Sequence, residues 1–163
     1  TDLLDEIPVD ACRWFFNAKP ETQMEFDLGL AVREDSENPV YYVQYAYARI
    51  CTLLKNLAAE GYSVPRAAEA DLSVLNGEEE KALIKQLAQY PAVVLLAARD
   101  YDPSFINRYL SDLAAAFHKF YNACRIKGEA ENVLLARLKL ADTARAVLKN
   151  GMTLIGCSAP EKM

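Results

Sequence analysis

Between Asn38-Pro39 and Gly61, the apolar residues Val40, Val43, Tyr47, Ile50, Leu54 and Leu57 recur at alternating intervals of three and four. That period marks one face of an α-helix and fits no alternating strand. Asparagine before proline supplies a cap, then a first helical residue whose missing N–H has no intrahelical acceptor to lose. Gly61 supplies the residue type on which helices commonly stop. The spacing predicts a long helix from Asn38-Pro39 to about Glu60, whose apolar face must be buried against other elements.

The same punctuation divides the rest of the chain. A first helix is expected from Val9 to Ala18, between Pro8 and Pro20, and a short one around Phe26 to Glu34. Residues 61–75 contain Gly61, Ser63 and Pro65 without sustained period, and read as an irregular connector. Asn76 is the expected cap of a helix over Glu78 to Gln89, with acids suited to its first turn. Pro91 opens another, Ala92 to Asp100, and Asp102-Pro103 starts a long helix to Lys127 that Gly128 ends. A further amphipathic helix is expected from Glu131 to Asn150, with Gly151 as its stop, and the tail from Cys157 is too short and proline-broken to continue it. Long helices with short connections make an all-α helical bundle, an architecture that serves many functions.

Composition excludes several classes. At 52% hydrophobic and 25% charged residues the chain is globular rather than disordered. Its longest apolar run, Ala92 to Ala98, is far short of the ~20 residues of a membrane helix. The acidic opening (Asp2, Asp5, Glu6) is not a secretory signal, and Thr1 in place of methionine is consistent with a piece of a longer protein. Cys12, Cys51, Cys124 and Cys157 form no C-x-x-C pair, and His118 is the only histidine, so a zinc site is rejected. Spacing leaves disulfide pairing open; isolated cysteines in apolar helices read as reduced core thiols of a cytoplasmic protein.

The net charge of −5 is unevenly spread: residues 119–163 carry eight bases against four acids, a local +4. A local basic stretch bears on phosphate binding more than the overall sum does, although charge alone favours an ordinary solvated helix face. The six glycines are scattered and no Walker-type loop exists. A nucleophile would need His118 as its base, yet His118 lies mid-helix beside Phe117 and Phe120, as core or half-buried histidines do. Glu78-Glu79-Glu80 reads as a solvated first turn. No active site is legible.

Three segments add a family resemblance. Asp10-Ala11-Cys12-Arg13 is similar to the D-A-L-R segment that names one anticodon-binding domain, with cysteine for leucine. Asn38-Pro39-Val40-Tyr41-Tyr42-Val43-Gln44-Tyr45-Ala46-Tyr47-Ala48-Arg49-Ile50 resembles the N-P-x-Y-Y-V-Q-Y-A-H-A-R-I helix of bacterial arginyl-tRNA synthetases, with Tyr47 for the usual histidine. Leu113 to Arg125, and the finish from Asn150 to Pro160-Glu161-Lys162-Met163, resemble the end of the same family. Related helical domains occur in the cysteinyl, methionyl and glycyl enzymes; the tyrosine-rich helix and methionine tail favour arginine. The resemblance covers nearly the whole chain.

It implies a DALR-type anticodon-binding bundle of a class I aminoacyl-tRNA synthetase. Residues 38–163 would be the bundle, and residues 1–37 the trailing segment and junction from the catalytic side. The implied parent is a cytoplasmic, monomeric arginine–tRNA ligase using ATP with magnesium. Its partners would be arginine tRNA and its own catalytic domain, with no membrane. The class I signatures H-x-G-H and K-M-S-K are absent, so no catalytic residue and no cofactor is assigned to this chain. The other reading open is a protein-interaction bundle without RNA contact.

Splayed anticodon bases are read by aromatic stacking and by hydrogen bonds to their edges. Tyr42, Tyr45 and Arg49 fall at i, i+3 and i+7 and share a helix face. Two tyrosine rings there could hold a base while Arg49 meets a phosphate or base edge, whereas Tyr41 and Tyr47 read as core. The resemblance adds Tyr121 to the pocket wall and Met163 as the terminal methionine that packs on the base. Gln44 either bonds a base or covers the helix surface. Lys119, Arg125, Lys127 and Lys162 are the candidate phosphate contacts.

Overall fold

The computed structural model describes residues 2–20 and 26–163. Thr1 and residues 21–25 of the expected junction lie outside it. Eight α-helices occur among the described residues, and no strand: α1 Asp2–Glu6, α2 Val9–Ala18, α3 Leu28–Ala31, α4 Pro39–Ala59, α5 Glu78–Ala88, α6 Tyr90–Asp100, α7 Ser104–Ala123 and α8 Glu131–Leu154. A single 3-10 turn, Leu72–Val74, interrupts the connector between α4 and α5. The all-α bundle read from the sequence is the observed fold.

Helix α7 is the central element and packs against α2, α4, α5, α6 and α8. The predicted apolar face of α4 is the buried one: Val40, Val43, Tyr47, Ile50 and Leu57 enter the core, and Leu54 packs at its margin. Helix α2 contributes Ala11, Cys12 and Trp14 to the same core. The cysteines are free thiols, with Cys12, Cys124 and Cys157 buried.

Four punctuation marks act differently from their sequence reading. Asn38 makes no side-chain cap; its amide is buried and donates to the carbonyls of Ala31 and Arg33, at 3.3 and 2.8 Å, tying the preceding loop to the start of α4. The cap of α5 is Gly77 rather than Asn76. The Glu80 carboxylate accepts the Gly77 N–H at 2.7 Å, while the Asn76 amide donates to the Ser73 carbonyl. Glu80 is therefore no solvated first-turn acid: it is 1% exposed and also accepts from Arg137 Nε at 2.7 Å.

Helix α7 stops at Ala123, short of the expected Lys127. Cys124 takes extended backbone, so Cys124 and Ile126 alternate inward as buried residues while Arg125 and Lys127 face out. Helix α8 runs through Gly151 to Leu154. Gly151 is an approach point, not a stop: a Cβ there would lie 2.6 Å from Leu110 Cδ2 of α7. The turn that releases the chain is Gly156, at φ +74°.

Candidate nucleic-acid interface

Beside its core stripe, α4 carries the half-buried Tyr41, Tyr42 and Arg49 and the exposed Tyr45. Helix α7 brings His118 and Asn122 against them, and Ser36 closes one end of an open pocket of about 420 Å³. The pocket exists because both helices bury a regular stripe in the core, which leaves their flanking positions facing each other across a groove.

The walls are aromatic. The His118 ring lies 5.0 Å from Tyr42 and 5.9 Å from Tyr45, near parallel to the latter at 27°. The rings of Tyr41 and Tyr45 are almost parallel, at 4° and 6.5 Å between centroids. The Arg49 guanidinium carbon stands 4.2 Å from the Tyr121 centroid and 6.0 Å from that of Tyr45. Tyr45 is 42% exposed, so its ring face is available. Burial pushes the Tyr42 hydroxyl above its ordinary pKa, so it remains a neutral donor. Burial, and then the Arg49 charge, push His118 down to about 4. The imidazole is thus neutral near pH 7, and its Nε2 is buried without a hydrogen-bond partner. Neutral π faces, phenol hydroxyls and one delocalised cation, with no carboxylate among the lining residues, suit a planar base beside a phosphate.

The structure brings Tyr42, Tyr45 and Arg49 together as the spacing required, and joins Tyr121 to them through the guanidinium. Tyr47 is core, at 1% exposure. Tyr41, read as core, is half-buried and lines the pocket. Met163 lies in an adjoining groove whose wall includes Asp10, Val40, Tyr41 and Gln44. Gln44 faces neither a base nor the solvent: it is 8% exposed, and its Nε2 donates to Asp10 Oδ2 at 2.8 Å and to the Ser158 carbonyl at 3.1 Å.

Half of the eight bases in the basic stretch are committed to ion pairs within the protein. Arg137 is held by Glu80, Arg145 by Asp142 at 2.7 Å, and Lys127 by Glu60 at 2.6 Å. Arg125 and Lys127 line a separate depression with Leu53 and Tyr121. Lys119 and Lys162 are exposed, without an ion pair among the described residues. The local +4 therefore overstates the free positive charge. His118 and Asn122 are pocket residues that sequence reasoning missed. Their signal was present, because His118, Tyr121 and Asn122 sit at i, i+3 and i+4, the helical spacing that grouped the α4 tyrosines.

The DALR anticodon binding domain family matches residues 43–163. An arginine–tRNA ligase of Acetivibrio thermocellus is 50% identical over 163 residues, 99% of this chain and 29% of the relative. One from Ruminiclostridium cellulolyticum is 47% identical over the same shares. A Thermus thermophilus arginyl-tRNA synthetase superposes with a TM-score of 0.82 at 29% identity, covering 94% of this chain and 26% of that structure. The chain spans less than a third of the length of the curated relatives it matches.

Proposed function

This chain belongs to the DALR anticodon binding domain family, and we propose that it reads the anticodon of arginine tRNA for a longer protein. That parent would be an arginine–tRNA ligase, esterifying arginine to its tRNA with ATP. ATP with magnesium, and the chemistry itself, would belong to the part of the parent outside this chain. A monomeric parent acting in the cytoplasm fits the same reading. The family match gives no support to an interaction bundle without RNA contact.

The observation that carries the proposal is the pocket between α4 and α7. A base turned out of the anticodon loop would stack on the exposed Tyr45 face, beside the His118–Tyr42 pair already packed against that residue. Arg49, steadied on Tyr121, would meet its phosphate or its edge. Stacking contributes roughly 1–3 kcal/mol per base by alanine substitution. Backbone contacts from Lys119, Arg125 and Lys162 would position the loop without reading it. Filter binding with arginine tRNA and an anticodon-altered control tests this. The expected result is tighter binding to the cognate RNA, weakening as salt rises. Equal affinity for both RNAs would overturn it. ATP-dependent arginine charging by the purified chain would overturn the division of labour.

A further inference from the structure

The strongest feature left unused by the base pocket is the joint between α2 and the C-terminal tail. Asp10, Arg13 and Asn17 fall at i, i+3 and i+7 on α2 and together hold residues 155–158. Asn17 Nδ2 donates to the Ile155 carbonyl at 3.0 Å and Arg13 donates to the Gly156 carbonyl at 2.7 Å. The Asp10 carboxylate accepts three bonds: the Ser158 N–H at 3.1 Å, the Gln44 amide at 2.8 Å and the Ser158 hydroxyl. Its backbone carbonyl accepts from the Cys157 thiol at 3.5 Å. Helix α4, 34 residues away in sequence, and the tail, 148 residues away, thus converge on one side chain of α2.

We infer that Asp10 is a positioning residue for base recognition, clamping the tail to α2 and α4 so that Met163 is held beside Tyr41. Five residues, 159–163, carry the chain from Ser158 to the end of Met163. Extended, they reach up to about 17 Å, so a tail released at Ser158 could carry Met163 well away from the pocket. Clamped, Met163 shares a groove with Asp10 and Tyr41, and Tyr41 stacks on Tyr45. A carboxylate suits the junction because it is acceptor-only and offers lone pairs to all three donors. An amide of the same shape would turn an N–H₂ toward one of them. The inference rests on the anticodon reading proposed above.

The test is a cycle in the full chain: Asp10→Asn, deletion of Met163, and both together. Each protein is assayed for binding to arginine tRNA and to the anticodon-altered control, with hydrogen exchange at the Ser158 amide. Asp10→Asn should speed exchange at Ser158. It should also cut the preference for cognate RNA by about threefold or more, within the range of one lost sulfur–ring contact. Deleting Met163 from the Asp10→Asn protein should then change the preference by less than about twofold, because the two changes act through one contact. Asp10→Glu, which keeps the carboxylate, should restore part of the preference. If Asp10→Asn fails to fold by circular dichroism, Ser158→Ala removes a single donor and should move both readouts the same way by less. Full discrimination despite fast Ser158 exchange, or losses that simply add, would overturn the role of Asp10 alone. A parent chain with no anticodon preference would overturn the anticodon reading and this inference with it.

Discussion

The Arg49 guanidinium carbon sits 4.2 Å from the centre of the Tyr121 ring, joining α4 to α7 at the edge of the pocket. A guanidinium on a ring face is held in place while its N–H groups at the rim stay free to donate. Tyr121 is therefore a platform for Arg49 and not itself a wall of the pocket, whose lining does not include it. Tyr121→Leu should weaken binding of arginine tRNA by about 1 kcal/mol, the scale of a cation–π contact. Arg49→Met should then cost less in the Tyr121→Leu background than in the parent. Equal costs in both backgrounds would mean that ring and cation act independently.

Tyr45 and Tyr47 stand two residues apart on α4 and should respond in opposite ways. Tyr45 is 42% exposed and Tyr47 is 1% exposed within the core. Tyr45→Ala should leave stability within roughly 0.5 kcal/mol and cost roughly 1–3 kcal/mol of RNA binding if the ring carries a base. Tyr47→Ala removes a buried ring, and cavity formation of this kind costs about 3–5 kcal/mol of stability. Urea unfolding and filter binding on the two variants separate these effects. A large stability loss in Tyr45→Ala would count its ring as core.

Periodicity located the long helices and the buried face of α4, because a 3.6-residue repeat is a local property of sequence. It could not say which glycine ends a helix. Gly151 and Gly156 look alike in sequence; only the side chain of Leu110, on another helix, decides that the first continues α8. Nor could it separate free from committed charge, since Glu80 and Arg137 are 57 residues apart and meet only in the fold. Half of the pocket was legible for a related reason. Tyr42, Tyr45 and Arg49 share one helix, whereas their facing partners arrive on α7, and His118 could not be told from a core histidine without that helix in place. Gln44 shows the reverse: its face is set by Asp10 and Ser158, at opposite ends of the chain.

His118 should make the fold sensitive to acid. Its folded pKa is lowered to about 4 from an ordinary 6.5, by burial first and by Arg49 second. Between those values the unfolded chain binds the proton that the folded one refuses, so stability falls as pH drops through this window. Above about 6.5 the group contributes no pH dependence. Melting temperatures taken from pH 7 to pH 4 should fall less steeply for His118→Phe than for the parent. Parallel curves would show that His118 is protonated in the folded protein without penalty.

Gly151 should resist the smallest side chain. Placing alanine inside a helix ordinarily gains about 0.5–1 kcal/mol over glycine. Here the new Cβ would lie 2.6 Å from Leu110 Cδ2 and 3.2 Å from its Cγ, and Leu110 is fully buried. Overpacking of this kind costs about 1–3 kcal/mol, so Gly151→Ala should lower the melting temperature. In a Leu110→Ala background the clash disappears and the same change should become neutral or stabilising. A loss of equal size in both backgrounds would refute the close approach of α7 and α8.

Lys119 and Lys127 should not contribute equally to RNA binding, although both stand in the basic stretch and both are exposed. Lys119 follows His118 on α7, and no ion pair holds it among the described residues. Lys127 Nζ lies 2.6 Å from Glu60 Oε1, so a phosphate must compete with a carboxylate already in place. Each phosphate contact adds roughly 0.9 to the slope of log affinity against log salt on duplex DNA, and about 0.7 on single strands. Lys119→Ala should therefore lower affinity for cognate and anticodon-altered RNA alike and reduce that slope by nearly one contact. Lys127→Ala should do less of both. Glu60→Gln frees Lys127 from its partner, and should tighten binding to both RNAs while steepening the slope. These three variants leave the base pocket untouched, so the ratio of cognate to control affinity should stay constant throughout. A Lys119→Ala protein that loses anticodon preference, rather than affinity across the board, would place Lys119 on a base instead of the backbone. A Glu60→Gln protein with unchanged affinity and slope would take Lys127 out of the interface altogether.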